Sequence, residues 1–164
     1  TWYGGWNNTV SYKNFDLNVF FRFSGGNKIM NASRQSALFN MDFSNNGTEI
    51  LGRWISPEQP GDGMTPKIGY GDASSLFNDG YTDSHFVESG NYLKLSTLAL
   101  GYTLPKAVVS KLNMTKIRFY VQGQNLLTIT GYSGLDPETN SRLGVDWNGM
   151  PQQRSFTFGA NITF

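Results

Sequence analysis

One histidine, His85, occurs in the sequence, directly after Ser84. A serine nucleophile needs a base held within reach and an acid that orients it, and adjacency supplies neither. The pair therefore reads as loop chemistry, and the chain is expected not to be an enzyme. Asp136, Glu138 and Asp146 fall in one segment and offer the oxygen ligands that calcium favours. They lack the spacing of a dedicated calcium loop, so a hydrogen-bonded loop is the expectation, with no metal and no cofactor. Cysteine is absent, which removes disulfides and thiolate metal sites. Asn46-Gly47-Thr48 and Asn161-Ile162-Thr163 match the glycosylation acceptor pattern, the second inside an alternating run where the match reads as accident. What remains for this chain is non-covalent work, and it depends on the elements that carry it.

Those elements are strands. The last ten residues, SFTFGANITF, put Phe156, Phe158, Ala160, Ile162 and Phe164 on one parity and small or polar residues on the other. That is the period of a strand with one apolar face. Trp2, Trp6, Val10 and Tyr12 share a parity, and a short turn leads to Phe15, Leu17, Val19, Phe21 and Phe23, which together predict a hairpin. Phe20 is the large apolar residue on the wrong parity. In NYLKLSTLALGYTLP the parity switches between Leu95 and Leu98, which predicts a β-bulge near Ser96–Thr97. Pro105 opens a brief helical turn. Ile117, Phe119, Val121, Leu127 and Ile129 then alternate with Lys116, Arg118, Gln122, Gln124 and Thr128. The expected strands are about 2–12, 15–25, 91–104, 115–130 and 154–164, with long loops about 26–90 and 131–153. Short helical turns are expected in NASRQSALFNM and in GTEILGRWISPEQPGDG.

The connections run short, long, short, long. Outer-membrane barrels show this asymmetry, with short periplasmic turns and long extracellular loops. Each strand is long enough to cross the hydrocarbon when tilted, and no run approaches the ~20 apolar residues of a spanning helix. Thirteen Lys+Arg against twelve Asp+Glu leave no basic field for nucleic acid. The expected fold is all-β, a segment of a transmembrane antiparallel β-barrel. A sheet edge in lipid would leave backbone groups unpaired, so these strands are expected to pair with others, most simply earlier ones of the same polypeptide. A start at Thr1 without an initiator methionine fits a chain clipped at its front. The rival fold is a soluble carbohydrate-binding β-sandwich.

Three stretches carry a family resemblance. NYLKLSTLALGYTLPKAVVSKLNMTKIRFYVQGQNLLTITGYSGLDPE, HFVESGNYLKL and GTEILGRWISPEQP resemble the near-terminal region of the SusC/RagA family of TonB-dependent transporters. The ending resembles the signal read by the barrel-assembly machinery: polar Thr157, then Gly159, apolar Ile162 and aromatic Phe164. Its physical sense is strand addition at a sheet edge.

The resemblance implies the last strands of a large plugged barrel of roughly 22 strands in the bacterial outer membrane. It implies TonB-dependent import of oligosaccharides or peptides, with a SusD-like lipoprotein as cap and TonB–ExbB–ExbD as drive. The outer-membrane lipid would surround the apolar face. In that setting Trp54, Tyr81, Tyr132 and Trp147 are candidate substrate contacts, since aromatic rings with polar neighbours suit sugar C–H faces and hydroxyls. Each is also a residue type that packs its own loop. Arg118, Gln122 and Gln124 are candidate lumen-lining residues. Trp2, Trp6, Tyr12 and Tyr102 suit interfacial girdles. A barrel that anchors or adheres without transporting is the other alternative.

Overall fold

In the computed structural model, which describes residues 1–38, 45–67, 84–138 and 144–164, the strands in chain order are β1 (Trp2–Tyr12), β2 (Phe15–Gly25), β3 (Lys28–Asn31), β4 (Val87–Ser89), β5 (Tyr92–Thr103), β6 (Lys116–Thr130), β7 (Val145–Asp146) and β8 (Ser155–Thr163). They divide between two compact units: residues 1–27, 90–131 and 152–164 form one, and residues 28–89 and 132–151 the other.

The first unit is an open five-stranded sheet in the order β1-β2-β5-β6-β8, antiparallel throughout. Its register lines up the apolar parities of all five strands. Val10 faces Leu17, Leu17 faces Leu100, Leu100 faces Val121 and Val121 faces Phe158. Aromatic pairs tie neighbouring strands on the same face, Trp6 with Phe21 at 5.9 Å between ring centroids and Phe15 with Tyr102 at 4.7 Å. This face is open: Phe119 is 51% exposed and Phe158 78%. Soluble monomers rarely expose a contiguous apolar patch beyond a few hundred Å². A sandwich would have buried these side chains against a second sheet, whereas a lipid-facing wall leaves them out.

The parity switch in β5 has the expected cause. Phe20 pairs with Thr97 and Phe21 with Leu95, so Ser96 is an extra residue against β2. The ladder between β5 and β6 shifts at the same place, where Asn125 takes a left-handed φ of 52°. With the bulge, Leu93 and Leu95 return to the face of Leu98 and Leu100 instead of pointing away from it.

The opposite face is polar. Asn18 donates to the Asn7 and Thr9 side chains, both at 2.9 Å. Arg118 on β6 reaches over β5 to Asp16 on β2, with Nε–Oδ1 at 2.9 Å and the second nitrogen at 2.5 Å from Oδ2. The strand between them carries Gly101, and a Cβ there would lie 2.5 Å from the Asp16 carboxylate and run into the Arg118 guanidinium. Glycine is what lets this ion pair bridge strands that are not neighbours. Phe20, the exception to the parity rule, lays its ring over the bare backbone of Gly5, an aromatic cover for a strand glycine.

Connections at one end of this sheet are tight. The β1–β2 turn uses Lys13 at φ 53°, and Asn14 ties the turn to β5 through its side chain and backbone, each bond to Thr103 measuring 2.8 Å. Between β5 and β6, Pro105 stands immediately before helix α1 (Lys106–Val109). A further helical turn ends at Asn113, φ 51°. The left-handed residue stops the helix and frees the chain to re-enter the sheet.

Candidate functional site

The second unit is built from both long loops. Its centre is β3, paired antiparallel to β4 (Ile29 with Glu88, Met30 with Val87) and parallel to β7 (Met30 with Val145, Asn31 with Asp146). These strands are too short to show alternation. They are held by an apolar cluster of Met30, Ile50 and Phe86, with Val145 packed against it. Phe86 is fully buried, a contribution of about 1.5–3 kcal/mol. The expected helical turns are present at Arg34–Leu38 and Thr48–Gly52; residues 39–41, the end of NASRQSALFNM, lie outside the described residues.

A polar network joins the two loops above this core. Glu88 accepts from the Ser133 backbone at 2.8 Å, the Ser133 hydroxyl at 2.7 Å and the Asn31 amide at 3.2 Å. Arg34 stands 3.4 Å from the same carboxylate and donates twice to Glu49, at 2.9 and 2.6 Å. Burial works against the Arg34 charge, but the hydrogen bonds and charges of Glu49 and Glu88 prevail and hold its pKa above the ordinary value. Asn31 also accepts from the Arg34 backbone at 2.9 Å. A recess of about 360 Å³ opens beside this network, walled by Asn31, Ser33, Arg34 and Glu49 from the first loop and by Ser133, Leu135, Asp146 and Asn148 from the second. None of Arg34, Glu49, Glu88 or Asn148 stands out in the sequence by type or spacing. Glu49 and Glu88 fall in stretches carrying the family resemblance, and Arg34 and Asn148 do not.

The aromatic candidates have different fates. Tyr132 is 5% exposed and its hydroxyl donates to Asp146 at 2.6 Å. Burial first, and Asp146 second, push its pKa above the ordinary tyrosine value. The ring packs the second loop and presents no open face. Trp147 is 72% exposed. Trp54 is half-buried in a turn-rich segment, its backbone donating to Thr65 at 2.9 Å. Lys67 stands 5.8 Å from the Trp54 ring, and the two share a shallow recess of about 400 Å³ with Pro60, Met64 and Pro66. Asp62 organises this turn by accepting from the Met64 and Thr65 backbones at 2.8 and 2.7 Å, and these bonds hold its pKa below the usual carboxylate value. Tyr81 lies outside the described residues.

The acidic residues of the second loop are occupied locally. Asp136 accepts from the Glu138 backbone at 3.0 Å, and Asp146 from Tyr132 and from the Gly149 backbone at 3.2 Å. His85 lies in a short turn, Ser84–Phe86, its ring edge-on to Phe86.

On the sheet, Arg118 is committed to Asp16 as described, and Gln124 accepts from the Ser155 hydroxyl at 3.3 Å. Gln122 pairs with Thr157 across β6 and β8, on the polar parity. Gly159 pairs with Tyr120, whose ring fills the space a Cβ would take. Ile162 pairs with Ile117 on the apolar face, and Phe164, 85% exposed, follows the end of β8.

No protein-family model matches the chain. Curated relatives do. It is 33% identical to TonB-dependent receptor P3 of Formosa agariphila over 98% of this chain and 16% of that protein. It is 26% identical to TonB-dependent receptor SusC of Bacteroides thetaiotaomicron, over 98% of this chain and 15% of SusC. Among solved structures, the RagAB peptide transporter superposes with a TM-score of 0.82 at 27% identity, covering 99% of this chain and 17% of that one. The RagAB peptide importer in its closed-closed state gives 0.83 over the same shares. The open sheet is therefore a segment of a transmembrane antiparallel β-barrel. The chain, spanning about a sixth of the length of these relatives, belongs to the SusC/RagA family of TonB-dependent receptors.

Proposed function

We infer that this chain forms the C-terminal wall and the last two outer loops of a TonB-dependent importer of oligosaccharides in the bacterial outer membrane. The single observation that carries the reading is the five-strand register, which gathers every apolar parity on one exposed face and the charged and amide side chains on the other. In lipid, such a sheet has its oily side outward and its polar side toward a lumen. A SusD-like lipoprotein caps the barrel, and TonB–ExbB–ExbD drives the transport cycle through parts of the receptor other than these strands. Thr157, Gly159, Ile162 and Phe164 carry the pattern that the barrel-assembly machinery reads. Peptide cargo is the second reading, favoured by the likeness to the RagAB peptide transporter. The test is growth of cells carrying or lacking the complete receptor gene on single oligosaccharides or on peptides. Loss of growth on oligosaccharides alone supports the reading, and loss on peptides alone replaces the cargo.

Two outcomes follow from named residues. Trp54 and Trp147 keep open ring surface for stacking against sugar faces, whereas Tyr132 supports the loop that carries Trp147. Replacing both tryptophans by alanine is expected to weaken oligosaccharide capture by whole cells about tenfold or more, roughly 1.4 kcal/mol or above. Uptake equal to wild type would leave both as surface residues without a part in binding. Phe164→Ser is expected to lower the amount of folded receptor in outer-membrane fractions. Unchanged levels would remove the assembly role.

A further inference from the structure

At the end of the sheet with the tight connections, a row of rings crosses the apolar face. Tyr12 pairs with Phe15, Phe15 with Tyr102 and Tyr102 with Phe119. Beside this row, Phe15, Tyr102, Leu100, Phe119, Val121 and Phe158 wall a shallow groove of about 380 Å³. Lysines surround the row. Lys13 follows Tyr12 in the β1–β2 turn, and its ammonium stands 5.3 Å from the centre of the Tyr12 ring, within reach of a cation–π contact. That ring belongs to the apolar parity, so the charge is held on the apolar side. Asn14 bonds to Thr103, which sets this turn beside the β5–β6 connection. Lys106 and Lys111 are exposed there, with Val108 and Leu112 open between and beyond them.

Little negative charge answers these lysines. From Val10 to Leu17 and from Tyr102 to Arg118 the sequence holds one acidic side chain, Asp16. It lies on the polar face and is bonded to Arg118. Exposed apolar residues set among lysines suit a segment resting in a headgroup layer. A ligand that satisfies both features has an anionic head and an apolar tail. A zwitterionic head brings its own cation to a cluster of three. A neutral lipid fills the groove and leaves the lysines unanswered, and a soluble anion gains nothing from the groove. Anionic lipid is attracted to each lysine near the surface, within about a Debye length.

We propose that this end of the sheet binds an anionic phospholipid, with an acyl chain in the groove between Phe15 and Phe158 and its phosphate at Lys13. Lys106 and Lys111 add to the attracting field. The site rests on the import reading, which puts the apolar face in lipid and the short turns in the periplasm, and adds a choice of headgroup in that leaflet.

The test uses the complete receptor in phosphatidylcholine vesicles, with a fluorophore attached through Phe119→Cys to report from the groove. Doxyl-labelled phosphatidylglycerol and doxyl-labelled phosphatidylcholine are compared as quenchers at low ionic strength. The expected result is a preference for phosphatidylglycerol of about fivefold, the weight of roughly one lysine at a membrane surface. Lys13→Gln should reduce it, and the triple variant Lys13→Gln, Lys106→Gln, Lys111→Gln should abolish it. Lys116→Gln should leave it unchanged, because Lys116 pairs with Thr163 on the polar parity. Inorganic phosphate, added at constant ionic strength, should not compete. Four results overturn the proposal and leave the lipid-facing wall standing: equal quenching of the wild type by both lipids, a preference that survives the triple variant, one that Lys116→Gln alone removes, or one that inorganic phosphate displaces. Quenching by neither lipid overturns the wall itself, and the site with it.

Discussion

Replacing Val121 by lysine is expected to destabilise the folded receptor in a bilayer by about 2–4 kcal/mol, the cost of a cation on the lipid face near the midplane. Val121 sits between Leu100 and Phe158 in the register, in the middle of the apolar face, where a lysine head has the longest way to snorkel. Gln122, the next residue, pairs with Ala99 and Thr157 on the polar parity. Gln122→Lys should therefore cost much less. Ile162, close to the end of β8, gives the intermediate case, because the penalty falls to about 0–1 kcal/mol near an interface. Reversible unfolding of the complete receptor in lipid vesicles measures all three. Equal costs for Val121→Lys and Gln122→Lys would mean that neither face is lipid.

The second large effect is expected at Glu88. Its carboxylate collects three hydrogen bonds and one ion pair from the Asn31–Arg34 segment and from Ser133. Alanine would take the partner from the Ser133 backbone donor, leave the Asn31 amide with the Ser133 hydroxyl at 3.1 Å, and leave Glu49 to answer the Arg34 charge. Bonds to charged groups contribute about 1.5–3 kcal/mol, and loss of several here should free the second loop by about 3 kcal/mol. Limited proteolysis of the complete receptor is the readout: Glu88→Ala should speed cleavage within residues 132–151 at least tenfold, with Glu88→Gln in between. Cleavage at the wild-type rate would show that the apolar cluster alone holds the loops together.

The strands were legible because alternation is a direct imprint of two solvents on one backbone. Even the bulge in β5 announced itself, since Leu95 and Leu98 can share a face only if one residue is set aside. The joint folding of the two long loops was not legible. It depends on pairings such as Met30 with Val145 and Ile29 with Glu88, made by strands too short for periodicity and distant in sequence. Site residues suffered from the same limit. Tyr132 and Trp147 are both aromatics of one loop, yet Asp146 draws the Tyr132 hydroxyl inward while Trp147 stays exposed. Residue type cannot distinguish them; the position of the partner does.

The lipid-facing assignment carries the whole account, and nitroxide accessibility along β6 tests it most directly. Spin labels placed one at a time at positions 117 to 122 of the complete receptor in vesicles report collisions with oxygen, which partitions into lipid, and with a water-soluble nickel chelate. The account predicts a period of two, with oxygen dominating at Phe119 and Val121 and falling at Arg118, Tyr120 and Gln122. Nickel access at Phe119 and Val121, or no alternation at all, would contradict it.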